Sequence, residues 1–217
     1  MIYIEKKSEP SSLKIQRETP GADFDSLDKT DLRKSLLEEQ GYICAYCMKR
    51  IRKDKNVKIE HYCARNDENQ MDYNNLLVVC IGNQTQRDDK GKVQKERFTC
   101  DSCKGDEVLK INPQKKADME TITYNNAGII VSSNADYQND INTKLNLNDA
   151  QGYLIGNRKA ALRPLIGQLS RLKPGQDAMP VLQKMEKYCY EVNENGELPE
   201  YVGIMRWYVA KQIRKHA

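Results

Sequence analysis

The crowding of its cysteines is the feature of this 217-residue sequence that most constrains its fold. Met1 to Thr30 lacks the apolar segment of a signal peptide, so we expect a cytoplasmic protein with reduced thiols, whose clustering indicates a metal site rather than disulfides. Six of the seven cysteines lie between residues 44 and 103: Cys44, Cys47, Cys63, Cys80, Cys100 and Cys103, with Cys189 apart. The six clustered cysteines are more than the four thiolates that a tetrahedral zinc site needs, so the pattern predicts structural zinc.

The spacing alone leaves the zinc ligands open. Two Cys-x-x-Cys units, Cys44 with Cys47 and Cys100 with Cys103, could form a zinc ribbon that needs no catalysis, whereas Cys80 could replace Cys103 as the fourth ligand. The two remaining cysteines are predicted to be small buried apolar residues. They are Cys63 and Cys189.

Composition indicates a globular protein with an extensive polar surface, at 39% hydrophobic and 30% charged residues and a mean hydropathy of -0.79. A net charge of +4 does not by itself establish nucleic-acid binding, so local clusters have to carry that inference. One cluster crowds a turn, where it reads as a solvated loop or a phosphate contact: Lys49, Arg50, Arg52, Lys53 and Lys55. No apolar run approaches the length of about 18 residues that predicts a membrane span.

Hydrophobic periodicity predicts an α+β fold in three regions. Residues 1–27, broken by Pro10 and Pro20, are predicted to be an extended arm with little core of its own, which would need another surface to lie on. Residues 28–110 should form the cysteine-bound core, and residues 111–217 a hairpin followed by helices. The predicted elements are a helix from Asp28 or Thr30 to Gly41, strands at 57–61 and 76–79, a surface insertion at 82–98, a hairpin joining 122–124 to 129–131, and helices over 154–172 (kinked at Pro164), from near Pro180 and over 201–215.

Glu60-His61 at the end of the first predicted strand is the candidate for chemistry. His61 is the only histidine apart from His216 near the C-terminus. Phosphodiester hydrolysis needs a group that deprotonates water and a cation that stabilises the phosphate, and an imidazole beside a carboxylate meets both needs. A Glu-His dipeptide alone is commonplace, so the surrounding motif has to decide.

That motif resembles the HNH (ββα-metal) nuclease pattern. The residues that carry the resemblance are Cys44-x-x-Cys47, Glu60-His61, Asn75-Leu76, Cys80 and Cys100-Asp101-Ser102-Cys103-Lys104-Gly105. The resemblance implies a zinc-stabilised ββα core with Cys44, Cys47, Cys80 and Cys100 as zinc ligands. It further implies His61 as the general base, Glu60 and Asp101 as ligands of catalytic Mg²⁺ or Mn²⁺, and Asn75 as the residue that orients the loop carrying His61.

This sequence departs from the common HNH pattern at three points. Glu60 replaces the usual Asp, Asp101 replaces Asn or His, and about twenty residues are inserted after Cys80. The substitutions keep hard oxygen ligands at the site, and such ligands suit magnesium.

A more specific resemblance extends over nearly the whole chain. The segments Ala22-Asp23-Phe24-Asp25-Ser26-Leu27, Glu39-Gln40-Gly41-Tyr42-Ile43-Cys44-Ala45-Tyr46-Cys47 and Lys104-Gly105-Asp106 are similar to the PtuB family. Those HNH proteins act in the Septu and some retron anti-phage systems with an ABC-type ATPase, PtuA. The resemblance implies arm residues 1–27 as a docking site for such an ATPase, a retron reverse transcriptase and its DNA as further partners, and foreign nucleic acid as the substrate.

Two alternatives stay open on sequence. A nuclease of this type could cleave RNA, such as tRNA, instead of the favoured DNA, because a ββα-metal site grips a phosphodiester without reading the base. Alternatively, the chain is a non-catalytic zinc-ribbon adaptor that binds a partner through its basic residues. Zinc without divalent-dependent cleavage would indicate the adaptor.

Overall fold

The structure is a computed structural model that describes residues 1–52, 57–149 and 153–216. It has an α+β architecture. The helices in the described ranges are α1 (Ser11–Glu18), α2 (Thr30–Glu39), α3 (Asp101–Lys104), α4 (Lys116–Glu120), α5 (Ala135–Asn139), α6 (Tyr153–Ser170), α7 (Met179–Tyr190) and α8 (Val202–His216). The strands are β1 (Val57–His61), β2 (Leu76–Cys80), β3 (Ile122–Tyr124) and β4 (Ile130–Ser132). They form two separate antiparallel pairs, β1 with β2 and β3 with β4.

The β1–β2 ribbon positions both candidate sites. Its register pairs Val57 with Cys80 and His61 with Leu76, so the end of β2 that carries a predicted ligand lies beside the start of β1. Every residue of β2 is buried, whereas β1 is mostly half-buried. The apolar run Leu76–Val79 is buried on both faces, which explains why it lacks polar alternation. The chain then reaches α3, which is a single turn, so the third element of the predicted ββα unit is short.

The segment preceding α2 differs from the extended arm that the prolines predicted. Residues 11–18 form α1, and Leu13 on this helix is fully buried. Pro10 stands just before the first turn, where its missing N–H and fixed φ are tolerated. Nearer the start, Lys6 pairs with Glu39 of α2 at 2.8 Å and lies over the Tyr73 ring. The arm therefore packs on the rest of the fold, and the prediction that it is extended was wrong over residues 11–18.

The C-terminal region follows the predicted order of a hairpin and three long helices. Helix α8 packs between α6 and α7 and also contacts β3. Arg158 of α6 is 1% exposed, and its guanidinium donates to the carbonyl oxygens of Gly128 (2.6 Å) and Leu147 (2.8 Å). It thereby fastens the helix to the turn of the β3–β4 hairpin. Pro164 lies inside α6, and a π-helical turn spans Asp140–Lys144.

One hydrophobic cluster runs from Met1 through the β1–β2 ribbon to Val209 of α8. The predicted insertion at residues 82–98 lies outside it, with no residue of 83–98 buried. Gly82 begins this insertion with φ +52°, and a Cβ there would lie 2.0 Å from the Thr99 carbonyl oxygen, so only glycine fits. Among the helices described, none combines the length and apolar character needed to cross a lipid bilayer.

Candidate metal and active sites

Four buried thiols converge at one end of the β1–β2 ribbon. The Sγ atoms of Cys44, Cys47, Cys80 and Cys100 all lie within 4.8 Å of one another. Three Sγ–Sγ distances are 3.9 Å (Cys44 to Cys100), 3.7 Å (Cys47 to Cys80) and 3.7 Å (Cys80 to Cys100). Tetrahedral zinc with Zn–S bonds of about 2.3 Å requires sulfur atoms about 3.8 Å apart. The cluster therefore fits a four-coordinate metal ion in both donor type and spacing.

Local backbone geometry forms the first half of this cluster. After α2, Gly41 and Tyr42 both adopt positive φ and turn the chain into a tight loop. The Cys44 amide donates to the Lys49 carbonyl oxygen and the Met48 amide to the Cys44 carbonyl oxygen, which closes the loop around the two thiols. The Gln40 side chain bonds both the amide and the carbonyl oxygen of Val78, at 2.9 and 2.8 Å, and so joins this loop to β2.

The other two thiols come from the end of β2 and the start of α3. Cys80 is the last residue of β2, and Cys100 adopts a φ of 56° immediately before α3. The Cys100 amide is held by the Leu145 carbonyl oxygen at 2.9 Å. These four residues are the set that the HNH resemblance implied.

The remaining thiols lie elsewhere. Cys103 is half-buried and contacts the Thr143 carbonyl oxygen at 3.4 Å, so the ribbon with two Cys-x-x-Cys knuckles is excluded. Cys189 is buried, as predicted. Cys63 is exposed, so its prediction as a buried residue was wrong. It lies beyond the end of β1, where the chain leaves the ribbon for a polar surface loop.

Two carboxylates meet on one face of the ribbon. Glu60 and Asp101 interact directly, and their side chains are 6% and 18% exposed. Lys104 Nζ lies 2.8 Å from Glu60 Oε1 and is almost fully buried, while Lys58 Nζ lies 3.0 Å from Asp101 Oδ2. The Tyr46 hydroxyl also donates to Glu60 Oε1, at 3.3 Å. This acidic pair therefore carries two ammonium partners of its own.

The protonation of the pair is asymmetric. Burial first, and then the neighbouring Asp101, raises the pKa of Glu60 to about 8. Burial alone would also raise the pKa of Asp101, but hydrogen bonds from Glu60 and Lys58 outweigh it and lower that pKa. At neutral pH the two residues therefore share one proton, which resides on Glu60. A cation bound between them would favour both ionised forms and release that proton.

His61 follows Glu60 on β1, so the two side chains leave opposite faces of the strand. Its Nε2 lies 2.9 Å from the Gln70 carbonyl oxygen, and its ring meets the Phe24 ring edge-on, with centroids 4.6 Å apart. A carbonyl oxygen only accepts, so Nε2 carries the proton and the neutral ring keeps its lone pair on Nδ1. Burial lowers the pKa of His61 and favours this neutral form. Among the described contacts, none joins His61 to either carboxylate.

Asn75 fastens the loop that follows His61. Its Oδ1 accepts from the Cys63 amide at 2.7 Å, and its Nδ2 donates to the Cys63 carbonyl oxygen at 3.1 Å. The buried side chain thus fixes the backbone two residues beyond the imidazole. The arm adds a second restraint, because the Phe24 amide donates to the Gln70 side chain at 3.2 Å.

The residues that sequence reasoning missed are the counter-charges. Lys104 was part of the motif, but its burial against Glu60 was not predicted. No role was predicted for Tyr46, which lies inside the Cys-x-x-Cys unit.

The buried Arg158 could have been predicted from the sequence. It lies four residues from both Leu154 and Leu162, so the helical period that predicted those buried leucines also places it on their face. Lys53 and Lys55 of the predicted basic cluster lie outside the described residues.

Comparison of the chain with protein-family models and with curated proteins finds no match.

Proposed function

We propose that this protein is a metal-dependent HNH-type endonuclease that hydrolyses phosphodiester bonds of nucleic acid. The observation that carries the proposal is the meeting of Glu60 and Asp101 in one buried site, with a neutral His61 directly after Glu60 on the same strand. Paired carboxylates are ligands that Mg²⁺ and Mn²⁺ prefer, and an uncharged imidazole is the form that accepts a proton.

Zinc is the proposed ion of the thiol cluster. Four thiolates form a closed, soft ligand set with no position left for substrate, which is typical of structural rather than catalytic zinc. In this role the ion joins α2, β2 and α3, because its ligands come from the loop after α2, the end of β2 and the residue before α3.

The catalytic roles divide between the two faces of β1. Glu60 and Asp101 would hold the Mg²⁺ or Mn²⁺, which when bound would stabilise negative charge on the phosphate and the leaving oxygen. His61 Nδ1 would take the proton from the attacking water, while the Gln70 carbonyl oxygen holds Nε2–H and fixes the tautomer. Asn75 would keep the loop after His61 in register.

A divalent cation would have to compete with two lysine side chains for these carboxylates. Glu60 is already neutralised by its proton and contacts the Lys104 ammonium, and the Lys58 ammonium neutralises Asp101. Cation binding would therefore require Glu60 to lose its proton and at least one ammonium to move. We expect metal affinity at this site to be modest and to increase as the pH rises through the pKa of Glu60, about 8.

The biological setting follows from the sequence resemblance. We propose that the protein acts in anti-phage defence as the effector of a PtuA-like ABC ATPase, in some systems with a retron reverse transcriptase and its DNA. DNA is the favoured substrate, and RNA such as tRNA is the alternative.

Cleavage by the full chain, alone and with its ATPase partner, tests the proposal. Labelled DNA and RNA are incubated with zinc-loaded protein and Mg²⁺ or Mn²⁺. His61→Ala should abolish cleavage without changing zinc content, whereas His216→Ala, which removes the only other histidine, should cleave like the wild type. Glu60→Gln and Asp101→Asn should raise the Mg²⁺ concentration required. Unchanged cleavage by His61→Ala would contradict the assignment of the base.

A non-catalytic adaptor is the second candidate, and the ammonium pairing favours it. A site whose two carboxylates already have lysine partners is stable without a cation. The adaptor predicts zinc binding with no cleavage in any arm of the same assay and no Mn²⁺ bound at Glu60.

A further inference from the structure

Two surface hollows beside the thiol cluster share one cationic wall, and Cys80 lines the first of them. The first has a volume of about 720 Å³ and is bounded by residues 80–86 and Tyr153; the second, of about 680 Å³, is bounded by α6 and Tyr188 of α7. Lys49, Arg50, Arg52 and Glu200 line both. We call the two hollows and this shared wall the basic groove.

The charge of the shared wall is positive. Three cations stand against two carboxylates: Glu200, which accepts a hydrogen bond from the Arg50 amide at 2.7 Å, and Glu197, which lies 3.9 Å from the Arg50 guanidinium. The Arg50 guanidinium is occupied by the carbonyl oxygens of Gly41 and Tyr42. Lys49 Nζ donates to the Tyr153 hydroxyl at 3.1 Å, which leaves two of its N–H groups free for a ligand. Arg52 is exposed, and no carboxylate among the residues described pairs with it.

Aromatic rings stand at both ends of the groove. Tyr153 lies beside Lys49 in the first hollow, and Tyr188, which is 57% exposed, borders the second. Cations that follow a backbone, interleaved with rings on which bases stack, are the combination used to bind single-stranded nucleic acid. A groove for an apolar peptide would not be lined by three cationic side chains.

The groove begins beside the candidate active site. Ile81 lines the first hollow, and its carbonyl oxygen accepts a hydrogen bond from Ser102 Oγ at 2.9 Å. Ser102 follows Asp101 on α3, and Lys58 contacts both side chains. A strand leaving a phosphate at Asp101 would therefore meet the first hollow next.

We propose that the basic groove binds a single-stranded segment of nucleic acid. Its phosphates lie against Arg52 and Lys49, and one base stacks on Tyr188. The choice of ligand rests on the proposed nuclease function, whereas the test measures binding and can therefore fail separately.

Binding is measured by fluorescence anisotropy with the full-length, zinc-loaded protein and no added Mg²⁺. The probes are a labelled 20-nucleotide single-stranded DNA, its RNA counterpart and the corresponding duplex, over a range of salt concentrations. Tyr188→Ala should weaken single-strand binding about 5- to 100-fold, the range measured for loss of one stacked base. Arg52→Gln should reduce the slope of log affinity against log salt by about 0.7, the value for one phosphate contact on a single strand.

Matched controls come from the same surface. Tyr190, two residues beyond Tyr188 on α7, is 58% exposed but lies over Arg206 outside the groove, so Tyr190→Ala should bind like the wild type. Lys14→Gln on α1 provides the charge control, because Lys14 is exposed and lines neither hollow. Thermal unfolding verifies that each variant is folded.

The outcomes separate the two proposals. Loss of binding in Tyr188→Ala and Arg52→Gln, with both controls unaffected, supports the groove even if no cleavage is ever seen. Wild-type binding by both groove variants, equal affinity for the duplex, or no binding to any probe would overturn the groove. Cleavage that depends on His61 would leave the nuclease proposal standing in each of these cases. A difference between the DNA and RNA arms identifies the preferred strand.

Discussion

The thiol cluster and the acidic pair lie in the same β1–β2–α3 unit, but they differ in what compensates the charge of their buried side chains. The four Sγ atoms have no cationic partners among the described residues, and their spacing matches that of a tetrahedral metal site. Glu60 and Asp101 instead share a proton and have their own ammonium groups, Lys104 and Lys58. The spacing of the first site fits a bound metal ion, whereas each carboxyl group of the second already has a proton or an ammonium partner.

Under the proposed function, this difference would distinguish a permanently bound metal from an exchangeable one. Soft thiolates packed at close range repel each other unless a cation neutralises them, so their fold depends on the ion. Hard carboxylates with lysine partners remain folded either way, and a divalent cation has to compete for them. Carboxylates that are paired with lysines would suit a nuclease that must remain inactive until it is activated.

Removal of a cluster thiol should have the largest effect. Structural zinc contributes about 10–16 kcal/mol in small metal-bound domains, which exceeds the usual stability of about 5–15 kcal/mol. Cys100→Ser should therefore lose its zinc and unfold. Cys103→Ser, three residues away and outside the cluster, should keep both zinc and fold. Zinc analysis and circular dichroism measure both properties, and loss of zinc from Cys103→Ser would contradict the ligand assignment.

Loss of the buried ammonium should have the next largest effect. Above the pKa of Glu60, about 8, Lys104→Met leaves the ionised Glu60 carboxylate without its ion-pair partner in the interior, and breaking a buried pair costs about 3–5 kcal/mol. Lys58→Met, whose side chain is 33% exposed, should cost less than about 1 kcal/mol. Urea unfolding measures both. Adding Glu60→Gln to Lys104→Met should recover much of the loss, and no recovery would show that Lys104 acts through packing alone.

The raised pKa of Glu60 should make stability depend on pH. Its folded value, about 8, exceeds the ordinary 4.5, so its contribution is complete below pH 4.5 and is lost as the pH rises through 8. Between pH 6 and about 8 the free energy of unfolding should fall by on the order of 2 kcal/mol relative to Glu60→Gln, at about 1.4 kcal/mol per pH unit. Unfolding in zinc without Mg²⁺ measures this slope. Parallel curves for the two proteins would contradict a buried, protonated Glu60.

The exposed thiol should have the smallest effect on stability. Cys63→Ser should change the free energy of unfolding by less than about 0.5 kcal/mol, as expected for a surface substitution. The same thiol should be alkylated by iodoacetamide before any cluster cysteine, which peptide mass spectrometry would detect. Slower modification of Cys63 than of Cys103 would contradict its exposure.

The sequence predicted the elements whose signal is local. The strand Val57–His61 and the helices around Leu36, Leu162 and Ile204 follow from apolar periodicity, which burial enforces directly. The choice of Cys80 and Cys100 as cluster members followed from a motif register, and the structure confirms that the four thiols meet. Metal ligands occur in short motifs with restricted spacing, so they can be identified from the sequence.

Charge pairing across elements was not predictable in the same way. Asp101 precedes Lys104 by three residues on α3, a spacing at which helical side chains pair, yet Lys104 pairs with Glu60 of β1, which only tertiary contact brings near. Helix α1 was missed because two prolines mark breaks and its single buried residue, Leu13, gives no periodic signal. The exposure of Cys63 depends on where β1 ends, a boundary that residue type does not mark.

Anomalous diffraction from crystals of the zinc-loaded protein soaked in Mn²⁺ tests the central claim most directly. The account predicts a zinc peak among the four thiols and a separate manganese peak between the carboxylates of Glu60 and Asp101, with the Lys104 ammonium displaced from Glu60. A zinc peak alone, with Lys104 still paired to Glu60 at high Mn²⁺, would contradict the existence of a second, exchangeable metal site.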